Sequence, residues 1–461
     1  MNAYNIFQNI LQSINLPINE INNVSIEGQD PILPTPFLVG EAGAATLAAI
    51  GYLASEIWHL KTKERQDIAI SAHDAAIAQK SHQYVRTLDG VTQDLWDPIS
   101  GLYQTKDKRW IQFHCNFPHH KAGVLELLKC QDNKEAVANA TKNFNADYLE
   151  EALSNAGMCA AMVRTDKEWK NHPQFQATKN LPIIEITKIG DSEPEKMPEG
   201  DRPLSNIKVL DLTRVIAGPV CGRTLAEHGA DVLLVTSPKL PYIMPLVIDT
   251  GHGKLSLYLD LTDKSERDKL LKLVKKSDVF CQSYRPSGLD ALGFSPNELA
   301  KIRPGIIYVN FSAYSNLGPW ANKHGFDSLL QSVTGIALEQ GTAEKPEHLP
   351  AQSLDYLTGY FGALGAMEAL RRRAIDGGSY LVNVSLVKTA NWFKELGRCS
   401  NDFKQRLIPT RENIADLLVR QDTKFGKIEY LKPILRMSKT LVHWDLPTIP
   451  LGATKIEDII W

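Results

Sequence analysis

The second half of the chain alternates short apolar runs with helical patterns, and few architectures accept that alternation. Runs at 207–212, 232–236, 278–281, 306–311 and 380–386 read as strands. Helical patterns lie between them, at 219–228, at 263–277, from the Ser295-Pro296-Asn297-Glu298 capping box onward, and at 355–373. Strands joined by crossover helices form a parallel, doubly wound sheet, so the predicted class is α/β. Ligands of such sheets bind beyond the carboxyl ends of the strands. Here those ends carry 213–219, 236–240, 282–286 and 312–318.

The first half has a different grammar. Residues 1–36 are polar, then Pro-rich, and read as an N-terminal arm. An Ala-rich helix follows at 37–60, then a strand at 67–71 and a helix at 72–87. Strand-like runs at 101–105 and 109–114, helices at 119–129, 133–143 and 147–156, and a strand at 158–165 predict a small α+β unit over 95–190. Pro, Gly and charge crowd 191–205, the predicted linker to the 206–390 sheet domain. Residues 391–461 are expected to be an irregular tail packing back on that domain. Sliding 37–76 onto 351–390 brings Ala49 onto Ala363, Gly51 onto Gly365, Ser71 onto Ser385, and Glu41 onto Asp355. The 37–94 segment is therefore read as a duplicated element of the large domain.

Charge excludes some partners. There are 51 Lys and Arg against 53 Asp and Glu, a formal charge of −2, so neither nucleic acid nor an anionic membrane is an expected partner. The stretch 37–58 has the length of a membrane span, but it carries Glu41 and Glu56 and is read as a buried soluble helix. Six cysteines with no CxxC spacing fit a reducing cytoplasm. The first basic residue is Lys61, so no leader peptide is expected. No metal site is expected either: His119 and His120 are adjacent, but no His, Cys or carboxylate stands at ligand spacing from them.

Asp355 opens a small-residue helix. An Asp there serves as an N-cap, and the same geometry suits a nucleophile, because helix N–H groups hold a carboxylate ionised. The 213–219 loop lets backbone approach a phosphate. Lys254 and Arg285 are either phosphate-neutralising groups or surface charges. Neither a GxSxG element nor a dinucleotide fingerprint is present.

Five strings then carry a resemblance: "IKVLDLTRVIAGPVCGRTLAEHGADVLLV" (207–235), "GKLSLYLDL" (253–261), "DVFCQSYRPSGLDALGF" (278–294), "PGIIYVNFSAYSNLGPWANKHGFDSLLQSVTG" (304–335) and "LDYLTGYFGALGAMEALRRRAIDGGSYLVNVSL" (354–386). They resemble family III CoA-transferases of the CaiB–BaiF type. "GLYQTKDKRWIQF" (101–113) and "EEALSNAGMCAAMVRT" (150–165) resemble the family's small domain. The resemblance implies a Rossmann-like CoA-binding domain, a smaller α+β domain and an interlocked homodimer. It implies Asp355 as nucleophile, forming an acyl anhydride and then an aspartyl-CoA thioester. The substrates would be an acyl-CoA donor and a carboxylate acceptor, with coenzyme A as substrate and no permanently bound cofactor. CoA contacts would come from Val215, Ser237, Lys239, Leu259, Thr262, Ser283, Tyr284, Arg285, Leu292 and His324. Three features depart from the family pattern. Ala291 stands where formyl-type members carry a basic residue. Phe326 replaces the imidazole of a racemase-type Gly-His-Asp, which removes a proton-transfer base. The small-domain sequence comes first, with Glu41 in place of the duplicated Asp. Two rival readings follow: a catalytically silent CoA-binding partner subunit and an α-methylacyl-CoA racemase-like enzyme.

Overall fold

The computed structural model describes residues 1–16, 22–89, 94–285 and 288–461, and all five predicted strands of the second half join one seven-stranded sheet. Its order is Lys254–Tyr258, Asp231–Thr236, Lys208–Leu212, Val279–Gln282, Ile307–Ser312, Ser379–Ser385 and Glu185–Gly190. Six strands are parallel and the last is antiparallel to its neighbour. From Lys208–Leu212 the chain winds first to one side and then to the other. The crevice between that strand and Val279–Gln282 is thus the topological switch point, where a ligand is expected.

Two strands were not anticipated. Lys254–Tyr258 and Glu185–Gly190 are the two edges, and each mixes polar with apolar residues, so neither reads as a continuous apolar run. Glu185–Gly190 therefore belongs to the large sheet, which corrects the small-unit boundary at 190. The small unit keeps an antiparallel sheet of Gly101–Gln104, Trp110–Phe113 and Ala160–Met162, with Ile99, Tyr103, Phe113, Val124 and Leu149 in its core. The stretch expected to be a linker is pinned, since Glu195 accepts from Arg303 Nη1 at 2.6 Å and Nη2 at 2.7 Å. The tail is also more regular than expected. Leu418–Thr423 and Gly426–Leu431 form a hairpin extended by Arg86–Thr87. Pro286, placed by sequence at a strand end, lies outside the described residues. Among those residues no helix is long and apolar enough to cross a membrane.

The internal repeat has a structural counterpart. Val39–Thr62 and Ser353–Asp376 are both 24 residues long and start 314 residues apart. Each leads into a strand and then another helix: Ile68–Ser71 with Ala72–Ala78, and Ser379–Ser385 with Leu386–Glu395. Each strand takes a parallel partner, with Glu27 opposite Ser71 and Ser312 opposite Ser385. The first copy stays outside the large sheet and builds a small one with Val24–Glu27 and Arg436–Met437. The Ala3–Ser13 helix packs its Ile6, Phe7, Ile10 and Leu11 into the shared core.

Glycines set how close the second long helix comes to its neighbours. A Cβ on Gly359 would sit 2.5 Å from Ala217 O, and one on Gly365 would sit 2.5 Å from Val382 Cγ1. In the first copy, a Cβ on Gly51 would sit 2.8 Å from Ile68 Cγ2. Gly359 faces backbone, which cannot rotate away, and it lies one helical turn after Asp355. Gly359→Ala should lower unfolding stability by about 2–3 kcal/mol despite the gain in helix propensity. Gly365→Ala, opposed by a methyl group, should lower it less. Urea unfolding of both variants measures the difference.

Candidate active site

The loop after Lys208–Leu212 is organised by a buried ion pair. Lys254 Nζ lies 2.8 Å from Asp211 Oδ2 and donates to Pro219 O at 2.7 Å. Asp211 Oδ1 accepts from the Thr213 backbone N–H at 3.0 Å and from the Thr213 hydroxyl. Lys254 is therefore structural, and neither of its two expected roles applies. It is 2% exposed, and Gly222 admits it, since a Cβ there would stand 3.0 Å from Nζ. The loop holds Val215 at φ 73°, a left-handed conformation that strains a β-branched residue. The Ala217–Glu227 helix that follows has no side-chain cap, so its first N–H groups are free to meet a ligand.

Asp355 lies in the first turn of the Ser353–Asp376 helix and is 7% exposed. Its backbone N–H donates to Asp327 Oδ2 at 3.0 Å, so the cap of this helix is Asp327. Burial and the neighbouring Asp327 hold the Asp355 carboxyl well above the usual range. Burial likewise pushes Asp327 up to about 6, against bonds from the Asp355 and Leu354 backbone and from Gln331. A network steadies the next residue. Tyr356 Oη donates to Asp249 at 3.1 Å, and it meets His82 Nδ1 and Ser81 Oγ at 2.9 Å. Asp249 is also paired with Arg223 at 3.0 Å.

Asp355 opens on a cavity of about 200 Å³ lined by Val215, Ala217, Ser283, Tyr284, Phe326 and Thr358 among others. A groove of about 260 Å³ lies at the neighbouring strand ends, lined by Ser237, Lys239, Leu259, Thr262, Tyr284 and Leu292 among others. Eight of the ten residues expected to contact CoA thus fall on two linings, with Tyr284 common to both. Arg285 and His324 line neither of these. Arg285 is exposed and His324 half-buried, and the Arg285 charge helps to lower His324. Sequence reasoning missed the partners supplied by the first half. His114 stacks on Phe326 at 3.9 Å between ring centroids and, with Trp96, Asn116 and His82, lines a smaller space beside Asp355. Both nitrogens of the buried His114 ring lack partners, and burial lowers its pKa to about 3. Only the fold reveals it, because His114 is more than 200 residues from Asp355.

The model of CoA-transferase family III matches residues 23–193 and 204–401. The chain belongs to this family. It is similar to the acetyl-coenzyme A transferase nodX of Hypoxylon pulicicidum, with 32% identity over 319 residues that cover 64% of this chain and 54% of nodX. An acyl-CoA transferase of Gibberella moniliformis is 28% identical over 414 residues, 79% of this chain and 72% of that protein. The crystal structure of Rv3272 from Mycobacterium tuberculosis is 29% identical, covers 42% of this chain and 57% of that one, and has a TM-score of 0.40. The chain spans about half the length of nodX.

The repeat gives this family III chain a second carboxylate arrangement. Asp30 caps the Val39–Thr62 helix through the N–H groups of Gly40 at 3.2 Å and Glu41 at 2.9 Å, as Asp327 does for Asp355. Glu41 is buried, and its carboxyl accepts from the Ala3 backbone at the start of the N-terminal helix. Asp355 opens on a cavity, whereas the Glu41 carboxyl is tied to the start of the N-terminal helix.

The raised carboxyl sets a sign for stability. The folded state keeps a proton on Asp355 at a pH where the unfolded chain has released it. Stability is unaffected below about pH 4 and is lost as the pH rises towards the folded value. Asp355→Asn should be as stable as the parent at pH 4 and more stable than it at pH 7. Thermal unfolding at the two pH values measures this.

Proposed function

We propose that this chain is an acyl-CoA:carboxylate CoA-transferase with Asp355 as its nucleophile. The observation that supports it most is a buried carboxyl of raised basicity, at the floor of a cavity bordered by an uncapped helix N-terminus. A carboxylate held above its ordinary pKa is the better nucleophile once ionised. Free N–H groups of the Ala217–Glu227 helix suit the oxyanion that forms when the acyl carbonyl is attacked.

On this reading CoA lies along the groove of Ser237, Lys239, Leu259, Thr262 and Leu292 and passes Tyr284 and Val215 to reach Asp355. Arg285, Arg214 in the cavity lining and Lys239, which is paired with Asp260 at 2.6 Å, are cations near its path, and Ala291 supplies none. The Asp355 carboxylate attacks the acyl carbonyl. An O–C bond forms, the C–S bond breaks, and CoA leaves as thiolate. The thiolate then attacks the Asp355 carbonyl of the mixed anhydride, releasing the donor acid and leaving an aspartyl-CoA thioester. The acceptor carboxylate attacks that thioester, and CoA thiolate takes the acceptor acyl group from the second anhydride. Asp355 is regenerated. Asp327 positions the helix start that carries Asp355, and its charge keeps Asp355 basic. The expected assembly is a homodimer, and the expected setting a reducing cytoplasm.

The racemase-like reading has one observation in its favour, because His114 returns an imidazole to the place beside Phe326. An imidazole whose pKa is lowered to about 3 is a poor base toward an α-proton. It remains a neutral hydrogen-bonding group for the acid bound beside Asp355.

Mass spectrometry of the protein after exposure to an acyl-CoA library, with hydroxylamine trapping, tests the reading. A hydroxylamine-sensitive acyl or CoA adduct should appear on the peptide carrying Asp355 and be absent in Asp355→Ala. Bound CoA without an adduct would favour the silent-subunit reading. Deuterium wash-in at the α-carbon of a recovered acyl-CoA would favour the racemase.

A further inference from the structure

Where the small sheet meets the loop before Asp327, three side chains from distant stretches converge. His120 lies on the Pro118–Leu128 helix, Cys159 directly precedes the strand Ala160–Met162, and His324 precedes Gly325 and Phe326. One ligand atom of each lies within 4.8 Å of the other two. Cys159 Sγ is 3.6 Å from a nitrogen of His120, Nε2. The His120 and His324 rings stand 5.9 Å apart and nearly perpendicular, at 84°.

These lengths have a meaning for coordination. A thiolate at ~2.3 Å and an imidazole nitrogen at ~2.0 Å from a tetrahedral ion stand about 3.5 Å apart. The Cys159–His120 edge already has that length, and the other two edges need to contract by at most about 1.5 Å to reach tetrahedral spacing. His120 and Cys159 are buried, at 3% and 0% exposure. His324 Nε2 is a buried nitrogen with no hydrogen-bond partner. Burial keeps both imidazoles neutral, which is their ligating form. Burial holds the Cys159 thiol well above its ordinary value, outweighing the nearby Lys323 and Arg285, so binding an ion would have to release the thiol proton.

We propose that His120, Cys159 and His324 bind one zinc-class divalent cation, with water in the fourth position. Two nitrogens and one sulfur in a tetrahedral set select zinc among common ions. The ion would tie the small unit to the wall of the Asp355 cavity. Phe326, which lines that cavity, lies 6.1 Å from the His120 ring. The site carries no step of the transfer chemistry, and it stands or falls independently of that reading.

Elemental analysis of the full chain, stripped with a chelator, reloaded with zinc and dialysed, should find about one ion per chain. Cobalt in place of zinc should give a thiolate-to-cobalt charge-transfer band. Cys159→Ser should abolish that band and weaken zinc binding at least tenfold, whereas Cys399→Ser, at a distant half-buried thiol, should leave both unchanged. If Cys159→Ser does not fold, His324→Ala is read in the same way, and it should reduce zinc to well under one ion per chain. Less than about a tenth of an ion per reloaded parent chain, or a cobalt band that survives both Cys159→Ser and His324→Ala, would overturn the proposal.

Discussion

Two carboxyl groups, Asp327 and Asp355, share one buried place at the start of a 24-residue helix, and much of the structure serves to keep them there. Like charges in a desolvated site repel, so the pair retains a proton more readily than either group in water. That costs stability at neutral pH. The surrounding structure offsets the cost with the glycine-lined contact of the helix on Ala217 and Val220. It adds the Tyr356–Asp249–Arg223 network one residue beyond Asp355. The Asp211–Lys254 pair meanwhile fixes the loop that aims an uncapped helix at the same cavity.

The two halves of the chain solve one structural problem twice. Asp30 and Glu41 repeat the relation of Asp327 and Asp355: a carboxylate from an earlier segment caps a long small-residue helix through its third residue. Their surroundings differ. Asp355 faces a cavity lined by the second half and a smaller space to which His82, Trp96 and His114 contribute, whereas the Glu41 carboxyl accepts from the Ala3 backbone. A Glu also reaches one methylene further than an Asp, and misplacement of that order is enough to disable attack. The capping role survives in the first copy.

Much of the large sheet was legible because its central strands are buried on both faces and read as continuous apolar runs. The two edge strands were not, since Lys254, Ser256, Glu185 and Lys188 break that pattern. Asp355 and the 213–219 loop could be placed from local signals and family resemblance. Its partner Asp327, 28 residues away at the start of another helix, could not, because capping by a distant residue leaves no spacing to read. Lys254 read equally as a phosphate-neutralising group or a surface charge, and Gly222 opposite it makes room for a buried ion pair. His114 and Cys159 belong to the small unit and enter the functional region through a packing that no local pattern encodes. The same limitation hid the third ligand of the His120 cluster.

The central claim is that Asp355 exchanges an oxygen with the acid it serves. In the proposed sequence the acceptor's carboxylate oxygen bridges the second anhydride and remains on Asp355 when CoA departs with the acyl group. A single turnover with oxygen-18-labelled acceptor acid, followed by digestion and mass spectrometry, tests this directly. The account predicts that the peptide containing Asp355 becomes heavier by one oxygen-18 in place of oxygen-16. Turnover that leaves that peptide unlabelled would contradict it and place the acyl transfer on another group.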